Sequence, residues 1–182
     1  MIRDIDVAAM IYGRLGWIDS WKLQKLTYYS QSWALAWTGQ PLFRDQIQAW
    51  DDGPVAPELF RVNKWESGPM STHLPGAAVE RLHEDAQKIV DSVLNFYSGL
   101  NKVALIELTH GEAPWHEAYI NGRNSEITRS AMLSYYTKLS AIGGAVPARP
   151  DLGVTTVPVE RLETRSAFLT QRWAKTLELL AQ

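Results

Sequence analysis

The sequence contains no cysteine, which excludes a disulfide framework, a thiolate metal site and a cysteine nucleophile. It also contains no uninterrupted apolar run of about eighteen residues, the length expected of a membrane-spanning helix. Acids and an arginine interrupt the apolar part of residues 1–17, so this stretch resembles neither a signal peptide nor a membrane span. We therefore expect a soluble, cytoplasmic protein.

The charged residues are nearly balanced, with 18 lysines and arginines against 20 aspartates and glutamates and a net charge of −2. This balance gives no bulk attraction to nucleic-acid phosphates, although it leaves room for a local basic patch. The motifs GxGxxG, GxSxG and GxxxxGK followed by serine or threonine are absent, which removes three common phosphate-binding and nucleophile sites. We therefore predict no cofactor and no clear nucleic-acid binding.

The apolar pattern predicts a mainly α fold, a compact single helical domain. A chain of 182 residues can bury roughly 70% of the surface that its unfolded form exposes. Caps and stop residues predict a first helix that ends near residue 15 and further helices at 21–38, 57–65, 78–97, 102–109, 115–119 and 129–139. Asp4 or Asp6 is expected to cap the first helix and Ser20 the second. A small β element is predicted around residues 42–50, followed by a turn at 51–54.

The helix at 21–38 carries apolar residues on two opposite sides. One side is an ordinary core stripe, made of Leu23, Leu26, Tyr29, Trp33 and Trp37. The other side, the second stripe, mixes aromatic and polar residues: Trp21, Gln24, Tyr28, Gln31 and Leu35. Such a mixture is characteristic of protein contact surfaces, whereas a helix that is apolar all round is usually buried. The pattern alone favours burial.

Two groups of residues invite a catalytic interpretation. Asp51 and Asp52 suggest a carboxylate pair, but adjacent residues generally point apart, and the following Gly-Pro favours an Asx-type turn. The stretch THGEAPWHEAY at 109–119 resembles the zinc motif HExxH in composition. A glycine and a proline, however, interrupt the helix between its two histidines. We therefore predict no metal site and no catalytic residue.

The C-terminal part of the chain has a different composition. Residues 141–158 are rich in glycine and proline, as in a linker or extended arm. Residues 159–182 predict an amphipathic helix with a narrow apolar stripe of Val159, Leu162, Leu169, Trp173, Leu177 and Leu180. This helix would fold back to complete the core, which is the default, or dock on a partner or a second copy.

Three sequence blocks stand in a recognisable order: KLQKLTYYSQSWALAWTGQPLF at 22–43, IQAWDDGPVAPELF at 47–60 and LTHGEAPWHEAY at 108–119. Together they resemble the Panacea antitoxin domain, the family of SocA-type and phage-associated antitoxins. The W-x-x-G-P-V core of the middle block is the most specific part, although Asp51-Asp52 stands where the family often has an aromatic or basic residue. The resemblance covers residues 5–140, so we assign 1–140 to a Panacea-like domain ahead of the arm and the C-terminal helix.

The resemblance implies a mostly helical antitoxin encoded beside a toxin gene in a bacterium or phage. It implies that the chain neutralises a cognate protein toxin by binding it, with enzymes related to small alarmone synthetases among the candidate toxins. Two alternatives stay open. The chain would act as an adaptor that presents the toxin to the ClpXP protease, or as an enzyme that reverses the toxin's modification with His110, His116 or the acids.

The resemblance also shifts the interpretation of the second stripe from core towards toxin contact. We expect the contact surface to join the second stripe to the neighbouring corner of Asp51, Asp52, Gly53, Pro54 and Val55. Trp21 and Tyr28 are the expected anchors, and the two aspartates are expected to oppose a basic toxin surface. A second contact, to the toxin or to a second copy in a homodimer, is expected from Leu162, Leu169, Trp173 and Leu177. Alanine at Tyr28 should abolish rescue from the toxin without changing thermal stability.

Overall fold

The computed structural model describes residues 1–66 and 70–153. Its α-helices are α1 (Asp4–Leu15), α2 (Ser20–Thr38), α3 (Pro57–Arg61), α4 (Glu84–Tyr97), α5 (Lys102–His110), α6 (Ala113–Ile120) and α7 (Arg129–Ile142). A π-helical turn, Val62–Glu66, continues α3, and a 3₁₀ turn, Val79–Arg81, precedes α4. The strands are β1 (Gln48–Trp50), β2 (Gly53–Val55) and β3 (Ser125–Glu126). The predicted fold class, mainly α with a minor β element, is confirmed.

Helix α2 lies at the centre of the fold, in contact with α1, α4, α5, α7 and β2. Its predicted core stripe is buried, and several of the largest fully buried side chains belong to it, including Trp33 and Tyr29. Tyr136 from α7 packs edge-on against the Trp33 ring, with ring centres 5.2 Å apart. A helix surrounded in this way gains most of its stability from tertiary packing, because its own apolar pattern has no single preferred face.

Several helix starts differ from the prediction by one or more residues. Asp19, and not Ser20, caps α2, because its carboxylate accepts a hydrogen bond from the Lys22 N–H at 3.1 Å. Helix α1 begins at Asp4, so its N-cap position is Arg3. Helix α4 begins at Glu84, and the predicted start at residue 78 is wrong. His83 caps the helix, because its Nδ1 accepts a hydrogen bond from the Ala86 N–H. A capping side chain defines where a helix begins more sharply than apolar periodicity does.

Strands β1 and β2 form an antiparallel hairpin in which Trp50 pairs with Gly53 across a turn of Asp51 and Asp52. Strand β3 pairs with the other edge of β1, which gives the strand order β2-β1-β3. Strand structure begins only at Gln48, so the predicted β element at 42–50 is too long. The backbone at 42 and 43 is bonded to a side chain of α2 and not to a neighbouring strand.

The chain divides into two compact units, Met1–Asp151 and Leu152–Gln182. Helix α7 ends at Ile142, two residues beyond the predicted domain boundary at 140. The C-terminal helix predicted at 159–182, with Leu162, Leu169, Trp173 and Leu177, lies outside the described residues and stays a prediction. Across residues 1–66 and 70–153, no helix combines the length and apolar character needed to cross a membrane.

Candidate functional site

The second stripe of α2 is not a surface. Tyr28 and Gln31 are fully buried, and Gln24 and Leu35 are nearly so, whereas Trp21 keeps 43% of its surface exposed. Helix α7 covers this side of α2, where the hydroxyls of Tyr136 and Tyr28 form a hydrogen bond at 3.2 Å. The expectation that Tyr28 anchors a partner is therefore corrected, since a covering helix already occupies that position.

The two glutamines of the second stripe bind the backbone of the segment that follows α2. The Gln31 Oε1 accepts the N–H groups of Leu42 and Phe43 at 2.8 and 3.1 Å, and its Nε2 donates to the Phe43 carbonyl at 2.9 Å. Gln24 makes the same kind of contact one step later, with both backbone groups of Ala56. Buried polar groups need hydrogen-bond partners. Here each glutamine side chain bonds backbone groups of the following segment, as the backbone of a neighbouring strand would do in a sheet.

The exposed end of the stripe meets the hairpin corner, as the sequence predicts. The Trp21 Nε1 donates to the Asp52 Oδ2 at 3.1 Å, and the Lys102 Nζ lies 5.1 Å from the centre of the Trp21 ring. A cavity of about 510 Å³, which we call the cleft, opens beside this contact. The cleft is lined by Ser20, Trp21, Gln24, Lys25, Trp50, Asp51, Asp52, Val55, Phe60, Asn63, Lys64, Arg123 and Asn124.

The two aspartates of the turn point to different neighbours. Asp51 accepts a hydrogen bond from the Tyr119 hydroxyl at 3.0 Å and forms an ion pair with Arg123. The hydrogen bond from Arg123, followed by that from Tyr119, holds the pKa of Asp51 below its usual value. Asp52 bonds Trp21 instead. The carboxylates therefore do not act as a pair. Every hydrogen bond that they accept from the described residues comes from a side chain, so no backbone N–H completes the expected Asx-type turn.

Gly53, Pro54 and Val55 are buried, and of these three only Val55 lines the cleft. Beneath the hairpin, the fully buried Lys25 donates from Nζ to the Pro54 carbonyl at 3.2 Å. Burial lowers the pKa of Lys25 to about 8, while Asp52 and Asp19 act in the opposite direction. Sequence reasoning missed Lys25, although a lysine within an otherwise buried helix is a signal that can be looked for.

Gly53 makes the close approach of Lys25 feasible. Its φ of +100° is a conformation that side chains rarely adopt. A Cβ atom at this position would lie 2.7 Å from the Lys25 Cε and 2.9 Å from the Thr109 Oγ1. The glycine of the W-x-x-G-P-V core thus has a packing role in addition to its turn role.

The family model of the SocA-like antitoxins, Panacea domain, matches residues 23–116, which run from the first turn of α2 to the middle of α6. The chain belongs to this family. The family is one of antitoxins, which implies a toxin as partner. No significant match was found among curated proteins or among solved structures.

The third block of this Panacea domain supports the hairpin and the core. The His110 ring stacks on Trp115 at 4.0 Å, and Trp115 stacks on Tyr119 at 4.7 Å. The Trp115 Nε1 also donates to the Trp50 carbonyl at 3.0 Å, which ties α6 to β1. Burial lowers the pKa of His110, as does the nearby Lys25. No three potential metal-ligating side chains gather anywhere in residues 1–66 and 70–153.

Glu112, which precedes α6, connects α6 with α2 and α7. Its side chain is 4% exposed and accepts hydrogen bonds from the hydroxyls of Tyr29 on α2, at 3.2 Å, and Tyr136 on α7, at 2.6 Å. Burial raises the pKa of Glu112 to about 7, although both hydrogen bonds act against that shift. Sequence reasoning did not predict this role of Glu112, because its tyrosine partners are distant in the chain.

Proposed function

We propose that this Panacea-family chain neutralises a protein toxin by forming a direct complex, and that the toxin contacts the cleft. The observation that carries the proposal is the cleft itself, a cavity of about 510 Å³ that is lined in part by the exposed Trp21. Large exposed aromatic side chains beside a pocket are typical of interface anchors. An inhibitor that acts by binding needs such a surface and needs no catalytic group.

The cleft has aromatic walls that a partner side chain can pack against. Trp50 and Phe60 pack edge-on, with ring centres 4.9 Å apart, and Trp21 also lines the cleft. Val55 adds an aliphatic patch. Because each of these side chains is held by its own element, little conformational freedom would be lost on binding.

Fewer residues are proposed to contact the toxin than the sequence analysis predicted. Trp21, Asp52 and Val55 line the cleft and are retained as proposed toxin contacts. Asp51 also lines the cleft, but both of its carboxylate oxygens are engaged, with Tyr119 and Arg123. Gln24 also lines the cleft, but both ends of its amide are engaged with Ala56. Other predicted residues act from within the fold, since they support the elements that form the cleft: Tyr28, Gln31, Leu35, Gly53 and Pro54.

The test is co-expression with the protein encoded by the adjacent gene, followed by affinity purification and measurement of the mass of the complex. A small alarmone synthetase-like enzyme is the first class of toxin to test. We expect growth to be restored and a stable complex of defined stoichiometry to form. Restored growth without a complex would overturn direct inhibition. A loss of toxin that requires ClpXP would then favour the adaptor, and rescue far below one copy per toxin would favour the enzyme.

The C-terminal segment is proposed as a second contact, with the toxin or with another copy of the chain. A chain truncated after Asp151 keeps the first compact unit and removes the predicted stripe of Leu162, Leu169, Trp173 and Leu177. We expect this truncation to weaken the toxin complex or to reduce the mass of the free protein in solution. Unchanged affinity together with unchanged mass would remove both roles.

A further inference from the structure

The basic side chains that line the cleft are already engaged within the described part of the chain. Arg123 pairs with Asp51, and the Lys64 Nζ lies 5.0 Å from the centre of the Phe60 ring. Lys25 is buried and donates to the Pro54 carbonyl of β2. None of these cations forms an ion pair with the second aspartate of the turn.

Asp52 therefore has one carboxylate oxygen that can accept a further hydrogen bond. Among the described residues it accepts one hydrogen bond, from the Trp21 indole to Oδ2, and Oδ1 accepts none. Asp52 is exposed at the mouth of the cleft, and the indole fixes its orientation. The Lys25 charge acts on it only from a distance, without an ion pair.

We propose that Asp52 is the charge-recognition residue of the cleft and binds a basic side chain of the toxin. The inference rests on the proposed function, because it specifies which toxin chemistry the cleft accepts. A basic side chain would place its charged group on the Oδ1 of Asp52 and its apolar stem against the aromatic wall of Trp50. Both contacts are favourable for arginine or lysine, since their stems are apolar and their heads pair with carboxylates.

Asp51 is excluded from this role, although it stands next in the chain and is also exposed. Its two oxygens are occupied by Tyr119 and Arg123, so a toxin cation would have to displace an existing ion pair. A toxin carboxylate is a poorer occupant, because it would meet Asp52 at the mouth while the cations of the cleft are engaged elsewhere. Placing like charges opposite each other disfavours a complex.

Trp21 acts as a positioning residue for Asp52 in addition to its proposed contact. Its indole N–H holds one carboxylate oxygen, which leaves the other aimed away from that bond. Trp21→Phe keeps an aromatic ring but removes the donor. We expect this variant to lose less affinity than removal of the Asp52 charge.

The experiment measures the dissociation constant of the full chain with the protein encoded by the adjacent gene, at about 50 and about 300 mM salt, where screening differs. The variants are Asp52→Asn, Asp52→Glu and the matched control Asp51→Asn. We expect Asp52→Asn to weaken binding at least about tenfold and to flatten the salt dependence. Asp52→Glu should retain more affinity than Asp52→Asn. Asp51→Asn should cost less than about fivefold, because an exposed ion pair contributes little.

The outcomes separate this inference from the proposed function. A wild-type complex that Asp52→Asn leaves unchanged would overturn the role of Asp52 while direct inhibition stands. A wild-type affinity that does not fall with added salt would overturn it as well, without any variant. Absence of a wild-type complex would overturn the proposed function, and the inference with it. Thermal unfolding of each variant checks that the fold is intact.

Discussion

The side-chain amide of Gln24 holds both backbone groups of Ala56. Its Oε1 accepts the Ala56 N–H at 2.8 Å, and its Nε2 donates to the Ala56 carbonyl at 3.3 Å. Together with Gln31 it makes α2 a template for the segment between α2 and α3. Apart from the hairpin of β1 and β2, that segment contains no helix or strand, so the glutamines help to determine how the hairpin and the cleft are placed.

Replacement of Gln24 by alanine should therefore destabilise the fold. The change leaves the buried N–H of Ala56 without a partner, which costs about 1–3 kcal/mol, whereas the Ala56 carbonyl keeps its hydrogen bond from the Phe60 N–H at 3.0 Å. Urea denaturation monitored by tryptophan fluorescence measures this cost. Gln40→Ala is the matched control, because Gln40 is exposed and its side chain forms no hydrogen bond with the described residues. Equal free energies of unfolding for the two variants would contradict the template role.

Alanine at Gly53 should be costlier than alanine at another glycine with positive φ. Gly39 has a φ of +70° with open space around its Cβ position, so alanine there costs only the backbone strain of about 1 kcal/mol. At Gly53 the new methyl group would in addition collide with Lys25 and Thr109. We expect Gly53→Ala to lose at least about 1 kcal/mol more than Gly39→Ala. Thermal denaturation of the two variants in parallel provides the comparison, and identical losses would refute the contact with Lys25.

The free energy of unfolding should depend on pH through Glu112. Its pKa is raised from 4.5 to about 7, so the folded state favours the protonated form. Its contribution is therefore fully present below about pH 4.5, the unfolded value, and is lost as the pH rises through about 7. The difference of roughly two and a half pKa units corresponds to about 3 kcal/mol.

Glu112→Gln removes this titration while it keeps the shape of the side chain. Relative to the wild-type chain, the variant should gain stability as the pH rises from 5 to 8, by up to about 3 kcal/mol. Urea denaturation at four pH values measures the difference in free energy of unfolding between the wild-type chain and the variant. Asp4, whose pKa is raised to about 6, is present in both proteins, so its contribution cancels in this difference. Glu117→Gln, an exposed change on α6, serves as the control. Parallel curves for the wild-type chain and Glu112→Gln would show that the carboxylate is not desolvated.

Trp21 and Tyr28 should respond in opposite ways to alanine substitution. Trp21→Ala should weaken the toxin complex at least about thirtyfold, as expected of an anchor, with a change in stability below about 1 kcal/mol. Trp17→Ala is the matched control, since Trp17 is 47% exposed and does not line the cleft. Tyr28→Ala should instead lose about 3–5 kcal/mol of stability, because the side chain is fully buried. Similar toxin affinities for the Trp21 and Trp17 variants would remove Trp21 from the interface.

Local patterns in the sequence were sufficient for most of the helices and for the family. Helix periodicity and glycine stops are local properties, so the ends of α2 and α6 lie close to their predicted positions. The three motif blocks led to the Panacea family, which the family model confirms. The core stripe of α2 was also correct, because aromatic and leucine side chains at helical spacing are buried in most folds.

Only the tertiary structure shows which side of α2 is exposed, and it shows that most of the second stripe is buried. Periodicity shows that two sides of a helix are apolar, but it cannot show that α7, more than ninety residues later in the chain, covers Tyr28. It likewise cannot show that Gln24 and Gln31 bind backbone groups, that Asp51 and Asp52 diverge, or that Glu112 is enclosed by tyrosines. Each of these contacts joins residues far apart in sequence, and the physical reason is the same: burial and hydrogen bonding depend on neighbours in space.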